Sequence, residues 1–250
     1  MADEAPEGAA LAPAPEQEQE EQEEQEEQEE EQQPQETLTD DQKLFEFARN
    51  GQLTELLAHL KANPELDINW KNDDSSGSTA LHTACEQGHV AVVVELLKLP
   101  GVKINQPNEI GWTPIHFACG YGKEEIVKVL LADPRLETVG LDFDGRTPLW
   151  LAANVNNLAV VKWLVASGKE LGLDKKAKRT TEDEENEKTH TALEIASTVA
   201  DAQELVALIG ELEKTPTEAR AKVQAGLGIS GTFFFFFFFC LLFAFNPLPV

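Results

Sequence analysis

Cysteine is scarce in this sequence, with three residues among 250. Cys85 and Cys119 each follow an alanine at equivalent places in a repeated segment, where a small apolar side chain would pack. Unpaired cysteines usually occupy buried positions of this kind, so we predict free thiols there. The first ten residues, MADEAPEGAA, also lack the apolar run of a secretory signal. The expected compartment is therefore the reducing cytoplasm or nucleus.

Positive charge is scarce as well, because 20 Lys and Arg stand against 45 Asp and Glu, for a net charge of −25. Residues 1–40 contain 16 acidic residues and no basic one, which leaves −9 for residues 41–250. Binding of nucleic acid requires clustered Lys and Arg that displace counterions from phosphates, so nucleic acid is not an expected partner. A basic protein suits this charge better.

The sequence also lacks the short motifs that carry enzymatic chemistry. It contains no G-x-S-x-G, no Gly-rich phosphate loop, no H-E-x-x-H and no C-x-x-C. An acidic run at residues 182–185 has no apolar neighbours whose packing could raise a carboxyl pKa. We therefore predict no catalytic residue, no metal site and no cofactor.

What the sequence does contain is an internal repeat. The stretch GWTPIHFACGYG, residues 111–122, has a counterpart 34 residues earlier, GSTALHTACEQG, and another 34 residues later, GRTPLWLAANVN. A degenerate copy, THTALEIASTVA, begins at Thr189. Self-similarity at a fixed period is typical of repeat proteins, and it changes the meaning of every residue inside the pattern.

The repeat changes the interpretation of the histidines first. His82 and His116 occupy equivalent positions, but the later copies have Trp150 and Glu194 there. A metal ligand would not vary in this way, and zinc needs three or four converging ligands, which the motif does not supply. We therefore interpret both histidines, and His89 with them, as structural.

Each copy predicts a pair of helices. In the strongest copy, TPIHFACGYG gives a short first helix and EEIVKVLLADP a second one. Thr-Pro favours the start of the first helix, because proline at the first turn needs no N–H partner. Thr39 and Gln42 fit a capping box ahead of an earlier pair, which ends at Pro64. Val and Leu at i, i+3 and i+4 leave apolar faces that no single pair can bury, so the pairs should stack.

These residues, TPIHFACGYGKEEIVKVLL above all, resemble the ankyrin repeat over about residues 41–213. The resemblance implies an all-α solenoid of four to five helix-turn-helix units. The spacing of 34 residues exceeds the family's usual ~33, and the extra residue follows the second helix. The expected units lie near residues 41–76, 77–110, 111–144, 145–178 and 188–214.

Three regions are expected along the chain. Residues 1–38 are rich in Glu and Gln and have little that is apolar to bury, so we expect them to be disordered. Residues 39–214 form the predicted ankyrin-repeat domain, interrupted by a charged loop at 170–188 that we expect to be mobile on the surface. Residues 215–250 are predicted to be a linker and a Phe-rich hydrophobic tail.

The tail leaves two interpretations open. Residues 233–245 form an apolar run of 13 residues, which as a helix is about 20 Å long and shorter than the ~30 Å hydrocarbon core of a bilayer. Counted from residue 226, the uncharged stretch reaches 20 residues. It is either an anchor in an intracellular membrane or translated intron or frameshifted sequence. In both cases we expect the full-length chain to be membrane-bound or poorly soluble.

The resemblance also assigns roles to residues of the repeats. In the family, the histidine of the T-P-L-H turn bonds to the turn itself, while the hairpin tips and exposed first-helix positions line a concave face that binds partners. The structural motif positions here are Thr79, His82, Thr113, Pro114, His116, Thr147 and Pro148. The candidate partner-binding residues are Ser78, Glu86, Gln87, Glu109, Ile110, Trp112, Tyr121, Phe143, Asp144, Arg146 and Asn154.

Four of these candidates, Trp112, Tyr121, Phe143 and Arg146, stand out because Trp, Tyr and Arg are enriched at interface hot spots. Packing on a neighbouring repeat is the alternative for each, and it weighs more for Phe143 than for Trp112. The predicted function is that of a monomeric, non-catalytic adaptor that binds a protein partner. Two alternatives stay open, namely an acidic escort for a basic client, such as a ribosomal protein or a histone, and a tail-anchored membrane adaptor.

Overall fold

Helix pairs in series make up the described part of the chain. The computed structural model describes residues 38–178 and 189–229. Within these ranges the α-helices, numbered in chain order, are α1 (Asp40–Arg49), α2 (Leu53–Ala62), α3 (Ala80–Gln87), α4 (Val90–Lys98), α5 (Pro114–Gly120), α6 (Glu124–Ala132), α7 (Pro148–Asn154), α8 (Leu158–Ala166), α9 (Ala192–Ala196), α10 (Gln203–Lys214) and α11 (Pro216–Gly226). A short 3₁₀ helix, Asp73–Ser75, precedes α3.

The pairs stack in two layers. The first helices, α1, α3, α5, α7 and α9, pack on one another in order, and the second helices, α2, α4, α6, α8 and α10, do the same. Small side chains at equivalent places, Ala84, Ala118 and Ala152, are fully buried and let the first helices approach closely. The apolar faces form one continuous core. The predicted helical solenoid is confirmed, with five pairs in the described residues.

Threonine begins all five first helices. The N-cap residues of α1, α3, α5, α7 and α9 have extended backbones and are Thr39, Thr79, Thr113, Thr147 and Thr191. The predicted capping box of Thr39 and Gln42 is present. Their hydroxyl groups offer an acceptor to an N–H of the first turn, which has no partner within the helix. In α5 and α7 the next residue is proline, whose backbone φ already suits the first turn.

The two cysteines of the repeats are free and fully buried, as predicted. Cys85 lies in α3 and Cys119 at the same place in α5. Burial in the apolar core raises the pKa of both thiols far above the usual value, because the thiolate would lose its hydration. Both side chains are therefore neutral thiols that pack in the core.

The structure differs from the expected boundaries at two places. Residues 215–226, expected to be linker, include α11, which packs on α8 and α10 through Ala219 and Val223. The loop expected to be mobile at 170–188 is in part packed against the repeats, because the core covers Leu171 and Ala177. Residues 179–188 of that loop lie outside the described residues.

Two short strands depart from an all-helical fold. β1 (Ala177–Lys178) and β2 (Thr189–His190) pair antiparallel, with Ala177 opposite His190. β2 directly precedes Thr191 and α9, so this strand pair lies where earlier units have a tight turn before the first helix. Among the helices of the two described ranges, none is long and apolar enough to cross a membrane. The Phe-rich run at 233–245 lies outside those ranges.

Candidate partner-binding face

Three short hairpins precede α3, α5 and α7, and we call them tip 1 (residues 72–78), tip 2 (108–112) and tip 3 (142–146). Each is closed by a backbone hydrogen bond from its first residue to its last, of 2.9 Å, 2.9 Å and 3.1 Å. The first residue is Asn72, Asn108 or Asp142, and its side-chain oxygen accepts a backbone N–H two residues further on. In tips 2 and 3 the same oxygen also accepts the N–H four residues on, so one side chain holds the whole turn.

The tips are also joined to one another through the backbone. The Glu109 N–H donates to the Ser76 carbonyl at 2.9 Å, and the Phe143 N–H donates to the Ile110 carbonyl at 3.3 Å. Gly111, with φ of 82°, allows this approach, because a Cβ there would lie 2.8 Å from the Phe143 nitrogen. The three tips therefore form one connected ribbon.

Histidine links each first helix to the tip that follows. His82 Nδ1 accepts from the Thr79 N–H at 3.0 Å, so Nε2 carries the proton and donates to the carbonyls of Gln106 and Trp112 at 2.9 Å and 3.1 Å. Burial lowers the pKa of His82 to about 4, because the charged ring would be desolvated. Its two ring nitrogens are thus engaged with protein groups, which leaves neither for a metal ion.

His116 repeats this arrangement one unit later. Its Nδ1 accepts from Thr113, and its Nε2 lies 3.1 Å and 3.3 Å from the carbonyls of Gly140 and Arg146. Burial lowers the pKa of this histidine as well. No group of three or more His, Cys, Asp or Glu side chains suited to a metal ion occurs within residues 38–178 and 189–229.

Two other residues stand at the position of these histidines in the later copies. Trp150 replaces the histidine, and its indole Nε1 donates to the His190 carbonyl at 2.9 Å, so it reaches the following hairpin in the same way. Glu194 closes a capping box with Thr191, and its side chain is exposed. The last unit has no following hairpin within the described residues, so a residue that serves only its own helix is sufficient there.

Asp142 organises the surface around tip 3, and the sequence interpretation missed it. Its side chain is completely buried, and Oδ2 accepts from Trp112 Nε1 at 2.9 Å and from Arg146 Nε at 2.6 Å. The Arg146 guanidinium also lies 5.8 Å from the centre of the Trp112 ring and 2.7 Å from an Asp144 oxygen. A signal was present, because Asn108 and Asp142 each stand three residues before the repeat glycine.

Several predicted contact residues are turned inward. Ser78 is only 6% exposed and accepts from Asn108 Nδ2, so it is unavailable to a partner. Trp112 is half-buried, and Arg146 has its charge satisfied by two aspartates. The expected order of the two aromatic residues is wrong, because Phe143 is 78% exposed while Trp112 packs between units. The indole N–H of Trp112 has a buried carboxylate partner, and Phe143 has no such anchor on its side chain.

Exposed apolar side chains concentrate at units three and four. They are Ile110 in tip 2, Leu141 just before tip 3, Phe143 in tip 3, and Tyr121 and Val155 at the ends of α5 and α7, and they are 45% to 78% exposed. In the part of the chain that the structure describes, the remaining exposed large apolar residues are Leu38 and Leu57, near the start of the repeats. Leu141 and Val155 were not predicted, although Val155 stands 34 residues after Tyr121.

Aromatic rings connect tip 2 to the far end of α5. The Trp112 and Phe117 rings meet edge to face with centroids 4.9 Å apart, and the Phe117 and Tyr121 rings are nearly parallel at 6.3 Å. Partial burial raises the pKa of Tyr121, and the carboxylate of Glu86, which hydrogen-bonds to it, raises it further. We call tips 1 to 3 together with the exposed ends of α3, α5 and α7 the tip face.

Acidic side chains mark the other end of the tip face. Asp73, Asp74 and Glu109 are exposed, and Glu86 is half-buried beside Tyr121. Across the two described ranges, none of these four carboxylates forms an ion pair, whereas Asp144 is paired with Arg146. Of the remaining predicted residues, Gln87 is exposed and Asn154 is half-buried.

Comparison with known proteins agrees with this architecture. The family profile described as Ankyrin repeats (3 copies) matches residues 44–139 and 91–179. The putative ankyrin repeat protein YahD of Escherichia coli is 38% identical over 63 residues, which cover 25% of this chain and 29% of that protein. The 26S proteasome non-ATPase regulatory subunit 10 of Rattus norvegicus is 40% identical over 65 residues, or 26% of each chain.

A third relative, oxysterol-binding protein-related protein 1 of Rattus norvegicus, is 36% identical over 75 residues, which cover 28% of this chain and 8% of that protein. These alignments span less than a third of each relative, so they show shared repeats and not shared activities. The profile match covers more than half of the chain and coincides with the stacked helix pairs. The chain therefore belongs to the ankyrin-repeat family, whose repeats generally mediate interactions between proteins.

Proposed function

We propose that this protein is a non-catalytic interaction module that binds a partner protein through the tip face of units three and four. The concentration of exposed apolar side chains on that face supports the proposal most strongly. Monomeric soluble proteins rarely expose clustered apolar residues without a binding role. Tips 2 and 3 are held by hydrogen bonds to the buried Asp142 carboxylate, so little conformational freedom would be lost on binding.

The contact residues in this proposal are Phe143, Ile110 and Tyr121, with Leu141 and Val155 beside them. Trp112 has a supporting role, because its ring covers Phe117 and its indole N–H binds Asp142. A substitution of Trp112 would therefore disturb tip 3 as well as the surface. Phe143 and Tyr121 are better probes, since both side chains are more than half exposed.

A comparison of two surface variants tests the proposal. The full-length wild type, the double variant Tyr121→Ser/Phe143→Ser and the control Leu57→Ser are used for affinity purification with mass spectrometry. Leu57 is a matched control because it is an exposed leucine, 41% accessible, in α2 and outside the tip face. We expect the double variant to lose a set of proteins that Leu57→Ser retains. Equal recovery by all three proteins, with unchanged circular dichroism, would contradict the proposed surface.

The two alternative functions depend mainly on residues outside the described ranges. The escort for a basic client would use the acidic residues 1–36, and the membrane adaptor would use residues 226–245. Unpaired carboxylates on the tip face favour a basic partner, which the escort and the interaction module would share. Deleting residues 1–36 should severely weaken an escort and leave the proposed interaction module almost unaffected.

A further inference from the structure

The tip face changes character from unit two to unit four. The positions before, within and at the end of the first helix are Ser78, Thr83 and Gln87 in unit two, and Trp112, Phe117 and Tyr121 in unit three. In unit four they are Arg146, Leu151 and Val155. Of these side chains, the exposed ones are Gln87 in unit two, Tyr121 in unit three and Val155 in unit four. The exposed end of the first helix is therefore polar at unit two and aromatic or aliphatic at units three and four.

The exposed carboxylates of the tip face also lie toward unit two. Asp73 and Asp74 lie at tip 1, and Glu109 lies at tip 2, where its backbone N–H is bonded to tip 1. All three are exposed and, among the described residues, have no ion-pair partner. Lys71 lies near tips 1 and 2, where its ammonium donates to the Pro107 carbonyl and keeps its positive charge, whereas Lys123 precedes α6 at the opposite end of the unit. The three carboxylates outnumber this one nearby ammonium, so the polar end of the face is net negative.

We infer that the tip face binds an extended protein segment in which Lys or Arg side chains meet the carboxylates of tips 1 and 2 and a large apolar side chain packs against Phe143 and Ile110. This inference rests on the proposed function and adds the chemistry of the partner. A second copy of this chain does not fit, because its carboxylates would lie against each other or against apolar side chains, and Arg146 on this face already pairs with Asp142 and Asp144. An acidic segment is disfavoured for the same reason.

The geometry also limits the spacing in the partner segment. Stacked helices lie about 8–10 Å apart, so tip 3 is one such step from Glu109 and two steps from Asp73 and Asp74. An extended segment advances about 3.3 Å per residue. The basic residue should therefore lie about three to six positions from the apolar anchor.

Selection from a random peptide library on the full-length chain tests this inference. Phage-displayed peptides of about 12 residues are long enough to cover the ~20 Å between tips 1 and 3. The matched variants are Phe143→Ser and the neutralised variant Asp73→Asn/Asp74→Asn/Glu109→Gln, which leaves all the acidic residues of 1–40 unchanged. Leu57→Ser again serves as the surface control. We expect the wild type and Leu57→Ser to select peptides with Lys or Arg at the stated spacing from a large apolar residue.

The neutralised variant should lose the preference for Lys and Arg while it keeps the apolar preference, and Phe143→Ser should lose both. For one selected peptide, fluorescence anisotropy should show a dissociation constant about tenfold higher with the neutralised variant. That difference should shrink as salt is added, because exposed charge contacts are screened.

The failures of the two proposals are distinguishable. Peptides that require Phe143 but show no basic preference would overturn the inferred chemistry and leave the interaction surface standing. A basic preference that persists in the neutralised variant would also overturn it, since the preference would then come from other acidic residues of the chain. Selection of no peptide that requires Phe143 would overturn the interaction surface and the inference together. Dimerisation of the wild type that Phe143→Ser abolishes would identify a second copy as the occupant.

Discussion

Units two and three have the same internal frame and different surfaces. Thr79, His82 and Cys85 in unit two lie where Thr113, His116 and Cys119 lie in unit three, with corresponding hydrogen bonds and burial. On the tip face, in contrast, Ser78 and Gln87 correspond to Trp112 and Tyr121.

This comparison separates positions that build the repeat from positions that face a partner. A frame residue is one whose side chain satisfies backbone groups of the next unit, as His82 does with the Trp112 carbonyl and His116 with the Arg146 carbonyl. A surface residue can vary between units because its side chain satisfies no such group. Trp112 belongs partly to each class, since its ring lies on the tip face while its N–H holds Asp142.

The largest expected effect is loss of a frame histidine. His82→Ala and His116→Ala should each lower the free energy of unfolding by about 3 kcal/mol, because buried groups lose their hydrogen bonds and a cavity is left. Urea denaturation followed by circular dichroism measures this effect. His89→Ala is the control, since this side chain makes an exposed hydrogen bond to the Arg49 carbonyl. A cost below that of His89→Ala at either position would contradict the shared frame.

The repeat glycines should distinguish the two units. Gly77 and Gly111 both have positive φ, of 66° and 82°, but a Cβ at Gly77 would meet the flexible Glu109 side chain, whereas one at Gly111 would meet backbone atoms of tip 3. Gly77→Ala should cost about 1 kcal/mol from its conformation alone, and Gly111→Ala more than about 2 kcal/mol. Gly101 has a φ of 88°, and a Cβ there would have no other atom within 4 Å. Gly101→Ala therefore measures the cost of the backbone conformation alone. Equal costs for all three substitutions in urea denaturation would show that the tips are not rigidly joined.

Acidification should weaken the frame through His82. Its pKa falls from 6.5 to about 4 on folding because of burial, so between these values the unfolded chain binds a proton that the native chain does not. His82 therefore does not affect the free energy of unfolding above pH 6.5. Below that pH it lowers this free energy by up to about 1.4 kcal/mol per pH unit.

His82→Gln is the matched variant for this pH dependence, since glutamine can close a capping box with Thr79 but does not titrate. Urea denaturation at several pH values between 6.5 and 5 should give a shallower slope for this variant than for the wild type. Identical slopes would show that the pKa of His82 does not fall on folding.

Sequence reasoning could predict the frame because the frame repeats. The recurring Thr, His and Cys, the Thr-Pro pairs and the Val and Leu periodicity identify the helix pairs from the sequence alone. The role of Asp142 was harder to find, because its partners Trp112 and Arg146 are meaningful only once tips 2 and 3 are known to touch. Helix α11 was missed for a related reason, since it follows the last repeat and its stability depends on packing against α8 and α10.

The smallest expected effect on stability concerns the pair Gln87 and Tyr121, which occupy the same position in units two and three. Both are exposed, so Gln87→Ser and Tyr121→Ser should change the free energy of unfolding by no more than about 0.5 kcal/mol. Their effects on binding should nevertheless differ, because Tyr121 offers an aromatic ring beside the exposed apolar cluster and Gln87 lies in the polar unit. Urea denaturation and binding of a peptide selected on the wild type, measured on the same two variants, test both statements. Equal losses of affinity would remove the distinction between the units, and a large loss of stability for Tyr121→Ser would place this residue in the frame.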